Sequence, residues 1–230
     1  MATRGKKYKK IIEKKLTSST SLKNAIEATK KLSYSTFPGT IELHLALILP
    51  KDKDPKSIKG SVSLPNMESK VSKIAVAVPA HLEAKAKEAG ADIVGLDAVL
   101  EVLKTEKIDF DILISVPEVM VQLAAFGKAL GPRGLMPNPK NGTVVSGDKI
   151  ADTIGEFKRG KLVFKADSAG GIHVSVGKVG LETEKIAENV KAVINTVSTI
   201  IGKSKEYVIR RAFLAPTMGP ATQFEITLLD

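Results

Sequence analysis

The middle of the chain alternates four times between a short apolar run and a helical stretch, between residues 73 and 160. The first run, KIAVAV (73–78), is continuously apolar, which is typical of a strand buried on both faces of a parallel sheet. HLEAKAKEAG (81–90) then has helical character, and Gly90 supplies a helix stop. This alternation predicts a small, doubly wound parallel sheet with covering helices. The runs are 73–78, 91–95, 109–115 and 143–145, and the helical stretches are 81–90, 96–106, 117–130 and 147–160.

The segments on either side of this region follow a different period. TIELHLALIL (40–49) places alternate apolar residues on one face, as a half-buried strand does. The segment 181–201 repeats its apolar residues at helical spacing instead. We therefore predict an antiparallel sheet with helices on one side. The strand positions are Ile41, Leu43, Leu45, Leu47 and Leu49, the helical ones are Ile186, Val190, Val193, Val197 and Ile201, and the other strand-like segments are 60–65, 161–167, 171–177, 207–215 and 222–229.

Together the two patterns predict a discontinuous, two-domain protein of the mixed α/β class. Residues 1–66 and 161–230 would form a split α+β domain around the antiparallel sheet. Residues 67–160 would form an inserted, doubly wound α/β domain. A length of 230 residues suits one large domain or two small ones.

Positive charge is concentrated in one of the two predicted domains. The formal net charge is +10, yet residues 67–160 carry 12 Lys and Arg against 13 Asp and Glu, and the remainder carries 23 against 12. The split domain is therefore the expected anion-binding unit, with nucleic acid as the first candidate partner and an anionic membrane surface as the second. No apolar run reaches the roughly 18 to 20 residues of a membrane span.

Signals for catalysis, cofactors and metals are weak throughout the sequence. Gly127 and Lys128 do not complete a Walker loop, because Gln122 stands where the first glycine belongs. The first turn of the doubly wound region has no glycine, so the dinucleotide fingerprint also fails. The three histidines, His44, His81 and His173, show no metal-ligand spacing, and the chain has no cysteine. We predict no catalytic residue, no cofactor and no metal site, and keep a phosphate- or nucleotide-handling enzyme built on the doubly wound domain as the alternative.

The segment FGKALGPRGLMPNPKNGTV (126–144) is predicted to be a shaped loop. It contains four glycines, three prolines, three cations and no acid, a composition that excludes a central strand and a continuous helix. Two interpretations remain open: a rigid surface connection, or a secondary RNA contact through Lys128, Arg133 and Lys140.

Two other short turns each carry an apolar side chain, Phe37 in STFPG (35–39) and Met218 in PTMGP (216–220). In one interpretation these side chains pack into the core. In the other they form a flat surface against ribose and base edges, while Thr217 and backbone groups bind sugar hydroxyls, contacts that select RNA.

Six segments in this order resemble one known family. They are KGSVSLP (59–65), EAGADIVG (88–95), IDFDILISVPEVM (108–120), GKALGPRGLMPNPKNGTV (127–144), AGGIHVSVGKVG (169–180) and PTMGP (216–220). This set covers essentially the whole chain and strongly resembles the L-one family of large-subunit ribosomal proteins, which form the mobile ribosomal stalk beside the tRNA exit site.

The resemblance implies both a fold and a function. It implies a split domain with an inserted doubly wound domain, in a non-enzymatic structural constituent of the large subunit that is found on the cytoplasmic ribosome. The implied partners are large-subunit ribosomal RNA, exit-site tRNA whose release after deacylation is assisted, and the protein's own operon messenger RNA, whose translation is repressed. It further implies a protein that is monomeric off the ribosome and has no membrane partner.

The resemblance also implies which residues contact RNA. Phe37 and Thr40 match the family's first RNA-contact loop, and the second loop and a neighbouring strand pair supply the rest. The residues at those positions are Thr217, Met218 and Gly219 in the second loop, and Asp167, Ser168, His173 and Lys178 around the strand pair.

Overall fold

The chain folds into two compact units. In this computed structural model the described residues are 5–12, 20–48, 55, 58–66, 73–105, 108–202 and 208–226. The split unit comprises Met1–Glu68 and Leu162–Asp230, and the inserted unit comprises Ser69–Lys161. These boundaries lie one or two residues from those expected from the sequence patterns.

The described part of the split unit is built around a four-stranded antiparallel sheet with the order β7-β1-β8-β9. Strands β2 and β6 form a separate two-stranded sheet. The strands of this unit are β1 (Thr40–Leu47), β2 (Lys59–Ser63), β6 (Lys161–Lys165), β7 (Gly171–Lys178), β8 (Ile209–Pro216) and β9 (Thr222–Phe224), and its helices are α1 (Lys6–Ile12), α2 (Leu22–Leu32) and α8 (Thr183–Ile201).

Strand β1 has the period predicted for it. Ile41, Leu43, Leu45 and Leu47 are buried, and the residues between them are only partly covered. The fifth predicted position, Leu49, lies outside the described residues. Since successive side chains of a strand point to opposite faces, one face of the sheet enters the core and the other stays open.

Helices α2 and α8 cover the buried face. All five apolar positions predicted along the long helix are buried in α8. In α2, Leu22, Ala25 and Ile26 join the same core as β1, β7 and β8. The predicted antiparallel sheet with helices on one side is therefore confirmed, as is the mixed α/β class.

Asn189 is a fully buried polar residue in the middle of α8. Its side-chain amide donates to Val176 O at 2.8 Å and to Asn66 O at 3.1 Å. Its side-chain oxygen accepts from the Asn66 backbone N–H at 3.0 Å. These three bonds connect α8 to strand β7 and to the turn that follows β2, so buried polar groups of both segments are satisfied by one side chain.

The inserted unit contains a parallel sheet with the order β4-β3-β5 among its described residues. All four residues of β3 are buried, as expected for a strand covered on both faces. The strands are β3 (Ile74–Ala77), β4 (Ile93–Val94) and β5 (Ile112–Ser115), and the helices are α3 (Glu83–Glu88), α4 (Leu96–Lys104), α5 (Met120–Ala124), α6 (Gly127–Leu130) and α7 (Ile150–Lys158).

Two local features of the inserted unit differ from the expectation. The predicted helix 117–130 is interrupted, because the backbone tightens to i→i+3 bonds from Phe126 N to Leu123 O and from Ala129 N to Phe126 O, both 3.0 Å. The run at 143–145 forms a single parallel bridge from Val144 to Ser115 rather than a full strand.

Replacement of Asn189 by Ala should destabilise the protein by at least about 2 kcal/mol, because it leaves buried groups of Val176 and Asn66 without partners. Urea unfolding measures this loss. The matched control is Asn195→Ala on the same helix, where the side chain is exposed and the change should stay within about 0.5 kcal/mol. Equal stability of the two variants would contradict the role assigned to Asn189.

Candidate nucleic-acid interface

The two turns singled out in the sequence lie against each other although they are separated by about 180 residues. The hydroxyl of Thr217 accepts from the backbone N–H of Thr40 at 2.9 Å and donates to Thr40 O at 3.1 Å. The backbone N–H of Thr217 also donates to Thr40 O at 2.9 Å, and Tyr34 N donates to Met218 O at 3.3 Å. Four hydrogen bonds therefore hold the two turns together as one surface.

The apolar side chains of these turns point outward. Phe37 is 51% exposed and Met218 is 39% exposed. The interpretation in which they pack into the core is therefore wrong. Two large apolar side chains are therefore exposed on neighbouring, hydrogen-bonded turns, which makes these turns a candidate contact surface. We call Phe37, Thr40, Thr217, Met218 and Gly219 the paired-turn surface.

The local sequence determines the shape of both turns. In the first turn, the Ser35 hydroxyl donates to Phe37 O at 2.8 Å and lies 3.2 Å from the Ser33 hydroxyl. In the second, Gly219 has φ of +155°, and a Cβ there would lie 2.6 Å from Leu32 O. Because that neighbour is a backbone atom, a side chain at this position requires the backbone to move.

Lys178 is placed beside the paired-turn surface by a β-bulge. The register between β1 and β7 shifts between Ile41 and Glu42, so that Thr40 lies opposite Lys178. Gly177 at the bulge has φ of +155°, and a Cβ there would approach the side chain of Leu181 at 3.0 Å. The exposed Lys178 therefore adds a cation at the edge of the paired-turn surface.

The uncovered side of the sheet extends from this surface along β1. We call it the open face. Its residues lie on the side of the sheet away from the core and pair with one another across neighbouring strands. They are Glu42, His44 and Ala46 on β1, His173 and Ser175 on β7, Arg211, Phe213 and Ala215 on β8, and Gln223 on β9.

Sequence reasoning selected only His173 from the open face. Residues such as Glu42, Arg211 and Phe213 were missed as candidates, although the signal was present. The period that buries Ile41 and Leu43 leaves the alternate positions on the opposite, uncovered side.

Asp167 and Ser168 lie at the other end of the sheet. Their turn is hydrogen-bonded to the end of β1, where Leu47 N donates to Gly170 O at 3.0 Å. With a rise of about 3.4 Å per residue, this is roughly 20 Å along the strand from Thr40. The nine predicted contact residues thus fall into a group of six at the paired-turn end, His173 in the middle, and Asp167 with the exposed Ser168 at the far end.

The carboxylate of Asp167 shapes its own turn. One oxygen accepts from the backbone N–H of Gly171 at 2.6 Å and of Ala169 at 2.8 Å. The Gly171 bond is the main cause that lowers the pKa of Asp167, and the Ala169 bond and His173 act in the same direction. Asp167 is therefore kept ionised on the surface.

Two histidines meet on the open face. His44 and His173 are directly opposite in the strand register, and their Nδ1 atoms are 2.7 Å apart. Nε2 of His44 lies 3.8 Å from Glu42, and Nε2 of His173 lies 3.5 Å from Asp167. Burial lowers the pKa of His44, the neighbouring His173 lowers it further, and Glu42 opposes both effects.

The predicted secondary contact lies in the inserted unit. Lys128, Arg133 and Lys140 are all exposed. The segment that carries them is ordered by internal bonds, including Asn138 N to the Thr143 hydroxyl at 2.8 Å and Lys140 N to the Asn138 side chain at 2.9 Å. It is a shaped surface segment, as predicted, and its cations are available to an anionic partner.

Charge is also unequally divided when the two units are delimited by the boundaries found in the structure. By sequence, the split unit carries 22 Lys and Arg against 13 Asp and Glu, and the inserted unit carries 13 against 12. The paired-turn surface and the open face therefore belong to the basic unit.

Among the described residues, with their gaps, no group of three or more His, Asp or Glu side chains is arranged to hold a metal ion. No helix there combines the length and the apolar character needed to span a bilayer.

Comparison with known proteins assigns the chain to the class of ribosomal proteins. A family model described as the ribosomal protein L1p/L10e family matches residues 7–220. Proteins titled large ribosomal subunit protein uL1 are similar: that of Dehalococcoides mccartyi is 35% identical over 98% of this chain and 96% of its own length. The protein of the same title from Phocaeicola vulgatus is 37% identical over 89% and 88%. The chain belongs to the ribosomal protein L1p/L10e family.

This membership confirms the resemblance seen in the sequence. It also confirms that the chain is a structural, non-enzymatic constituent of the large ribosomal subunit. The alternative of a phosphate- or nucleotide-handling enzyme finds no support in these comparisons.

Replacement of Gly219 by Ala should destabilise the paired-turn surface, because the new Cβ meets Leu32 O and the backbone conformation suits only glycine. We expect a loss of about 1–3 kcal/mol in unfolding free energy. Gly180→Ala is the matched control, since a Cβ there meets nothing within 4 Å. If both variants were as stable as the parent, the turn would be less constrained than its geometry indicates.

The free energy of unfolding should fall as the pH drops from neutral to mildly acidic. The folded pKa of His44 is below its ordinary value of 6.5, so the unfolded chain binds this proton more readily. The contribution of His44 is therefore complete above about pH 6.5 and is lost as the pH falls through the folded pKa; Asp167 adds a second loss below about pH 3.8.

Urea unfolding at a series of pH values measures this dependence. The His44→Ala variant should show a shallower decline in the mildly acidic range, and His81→Ala, in the inserted unit, should keep the slope of the parent. An unchanged slope in His44→Ala would remove the assignment to this residue.

Proposed function

We propose that the split unit binds large-subunit ribosomal RNA through the paired-turn surface and the adjoining open face. The observation that carries this proposal is the joining of two distant turns, one exposing Phe37 and the other Met218, on a basic unit. The relatives titled large ribosomal subunit protein uL1 support the same partner.

The chemistry of the surface suits folded RNA. The flat ring of Phe37 and the flexible thioether of Met218 can pack against ribose and base edges, and backbone groups can bind 2′-hydroxyls. Lys178 and Arg211, both exposed, supply charge for phosphates. These elements are those of shape-based recognition, in which stacked bases play a small part.

The hydrogen bonds of Thr217 support a positioning role for its side chain. Its hydroxyl donates to Thr40 O and accepts from Thr40 N, so its single donor is already used within the protein. We propose that Thr217 sets the relative position of the two turns, and that Met218 and the backbone of Gly219 make the contact.

The remaining proposals concern other partners and the place on the ribosome. The protein would belong to the mobile stalk beside the exit site and assist release of deacylated tRNA, with Lys128, Arg133 and Lys140 as a contact for that tRNA. Its own operon messenger would bind the surface used by ribosomal RNA, so that free protein, as a monomer, represses its own translation. Exposure of the three cations supports the tRNA contact.

Replacement of Met218 or Phe37 by Ala should weaken binding to a large-subunit RNA fragment by about 1–3 kcal/mol, or roughly 5- to 150-fold, because each removes exposed apolar contact area. Filter binding measures this change at fixed salt concentration. The control is Val121→Ala, which truncates an 81% exposed apolar residue in the inserted unit and should leave affinity unchanged.

The RNA affinities of Phe37→Ala and Met218→Ala should also keep the salt dependence of the parent, since these changes remove no phosphate contact. Arg211→Gln should instead reduce the salt slope by about one. The proposal fails if Phe37→Ala and Met218→Ala both bind the fragment as tightly as the parent does.

A further inference from the structure

The open face contains a cross-strand histidine pair whose geometry the RNA proposal does not explain. His44 on β1 and His173 on β7 are 129 residues apart in sequence and directly opposite in the sheet. Their Nδ1 atoms face each other at 2.7 Å, and each Nε2 faces a carboxylate, that of Glu42 or of Asp167.

The Nδ1–Nδ1 contact can be a hydrogen bond in which one ring donates its N–H to the other, or it can hold a cation between two lone pairs. A neutral imidazole carries one N–H, and a ring that directs this N–H from Nε2 towards a carboxylate keeps a lone pair on Nδ1. When both rings do so, two lone pairs meet at 2.7 Å and repel each other. Either a proton or a metal ion between the two nitrogens removes that repulsion.

A metal ion between the rings fits the carboxylates around them. Metal-bound histidines commonly direct their other ring nitrogen to a carboxylate, which fixes the tautomer and raises the basicity of the ligand. Both histidines already have such a carboxylate neighbour.

The absence of a side chain at Gly171, the first residue of β7, leaves room for the contact between Asp167 and His173. A Cβ at Gly171 would lie 2.8 Å from Oδ2 of Asp167 and 3.1 Å from Nε2 of His173. The other oxygen of Asp167 is held by the backbone N–H groups of Ala169 and Gly171. Asp167 is thus fixed with one oxygen in its turn and the other towards the imidazole.

The separation of the two nitrogens indicates which ions fit. With metal–nitrogen bonds of about 2.0–2.1 Å, two ligands at a right angle place their nitrogens about 2.9 Å apart, and two at a tetrahedral angle about 3.3 Å apart. The observed 2.7 Å is closer to the right angle, which is the geometry of tetragonal Cu²⁺ and Ni²⁺ sites. A small rotation of the two partly exposed rings supplies the difference.

We propose that His44 and His173 form a two-histidine site for a divalent transition-metal ion, with Glu42 and Asp167 orienting the two rings. The remaining coordination positions open onto solvent and are filled by water. Affinity should follow the general order for nitrogen ligands, with Cu²⁺ bound more tightly than Ni²⁺ or Zn²⁺. The site is a property of the protein alone and does not depend on RNA binding.

Calorimetric titration of the full chain with Cu²⁺, Ni²⁺ and Zn²⁺, each in a non-coordinating buffer at neutral pH, tests the proposal. The parent should bind one Cu²⁺ ion. In His44→Gln and in His173→Gln this binding should be lost or at least tenfold weaker. Glu42→Gln, which removes an orienting carboxylate, should weaken binding about tenfold. His81→Gln is the matched control because it changes an exposed histidine of the inserted unit, and it should bind as the parent does.

A second measurement needs no variant. Substoichiometric Cu²⁺ should selectively broaden the imidazole NMR signals of His44 and His173 in the parent protein and leave those of His81 sharp. Cu²⁺ should also raise the thermal unfolding midpoint of the parent and of His81→Gln, because the unfolded chain does not hold the two ligands together. Equal Cu²⁺ affinity in parent and His44→Gln, or equal broadening of all three histidines, would overturn the proposal.

Discussion

The split unit depends on strand β1 and on the strict alternation of its side chains. Thr40–Leu47 pairs with β7 on one side and with β8 on the other, so it joins the two chain segments that flank the insertion. Its odd-numbered residues enter the core beneath α2 and α8, and its even-numbered residues form the middle of the open face. A shift of one residue would exchange these two sets, so burial of four large aliphatic side chains fixes the register and with it the candidate site.

The same strand explains why two distant turns become one surface. Thr40 begins β1, and Thr217 follows the last residue of β8. The two strands are antiparallel, and Ile41 lies opposite Pro216. Strand pairing therefore brings the turns together, and the Thr217 hydroxyl and Gly219 then set their spacing. Because the sheet supplies the approach, the turns can expose Phe37 and Met218 and remain fixed in position. Exposure of such side chains in a fixed geometry is what an RNA-contact surface requires.

Most of the architecture could be predicted from the sequence because it follows from local periodicity. The alternation in β1 reflects burial on one face, and the helical repeat in α8 reflects burial along one stripe. The continuously apolar β3 reflects burial on both faces. Features that depend on contacts between distant segments could not be predicted in the same way. The meeting of His44 with His173 and the bulge that brings Lys178 opposite Thr40 depend on register, which no single segment encodes. The interruption of the helix at Phe126 was also missed, since apolar spacing continues through it.

The candidate contact residues separate into two kinds once their bonds are known. The residue types alone gave Thr217 and Met218 the same part, yet the Thr217 hydroxyl is engaged with Thr40 in both directions and the side chain of Met218 is exposed. A change at Thr217 alters the position of both turns, and with them of every group on the paired-turn surface. A change at Met218 or Phe37 removes contact area and leaves the frame in place. Asp167 belongs with Thr217, because its carboxylate is used by its own turn and by His173. Weaker RNA binding would therefore have different meanings at these positions: altered geometry at Thr217 and Asp167, and a lost contact at Phe37 and Met218.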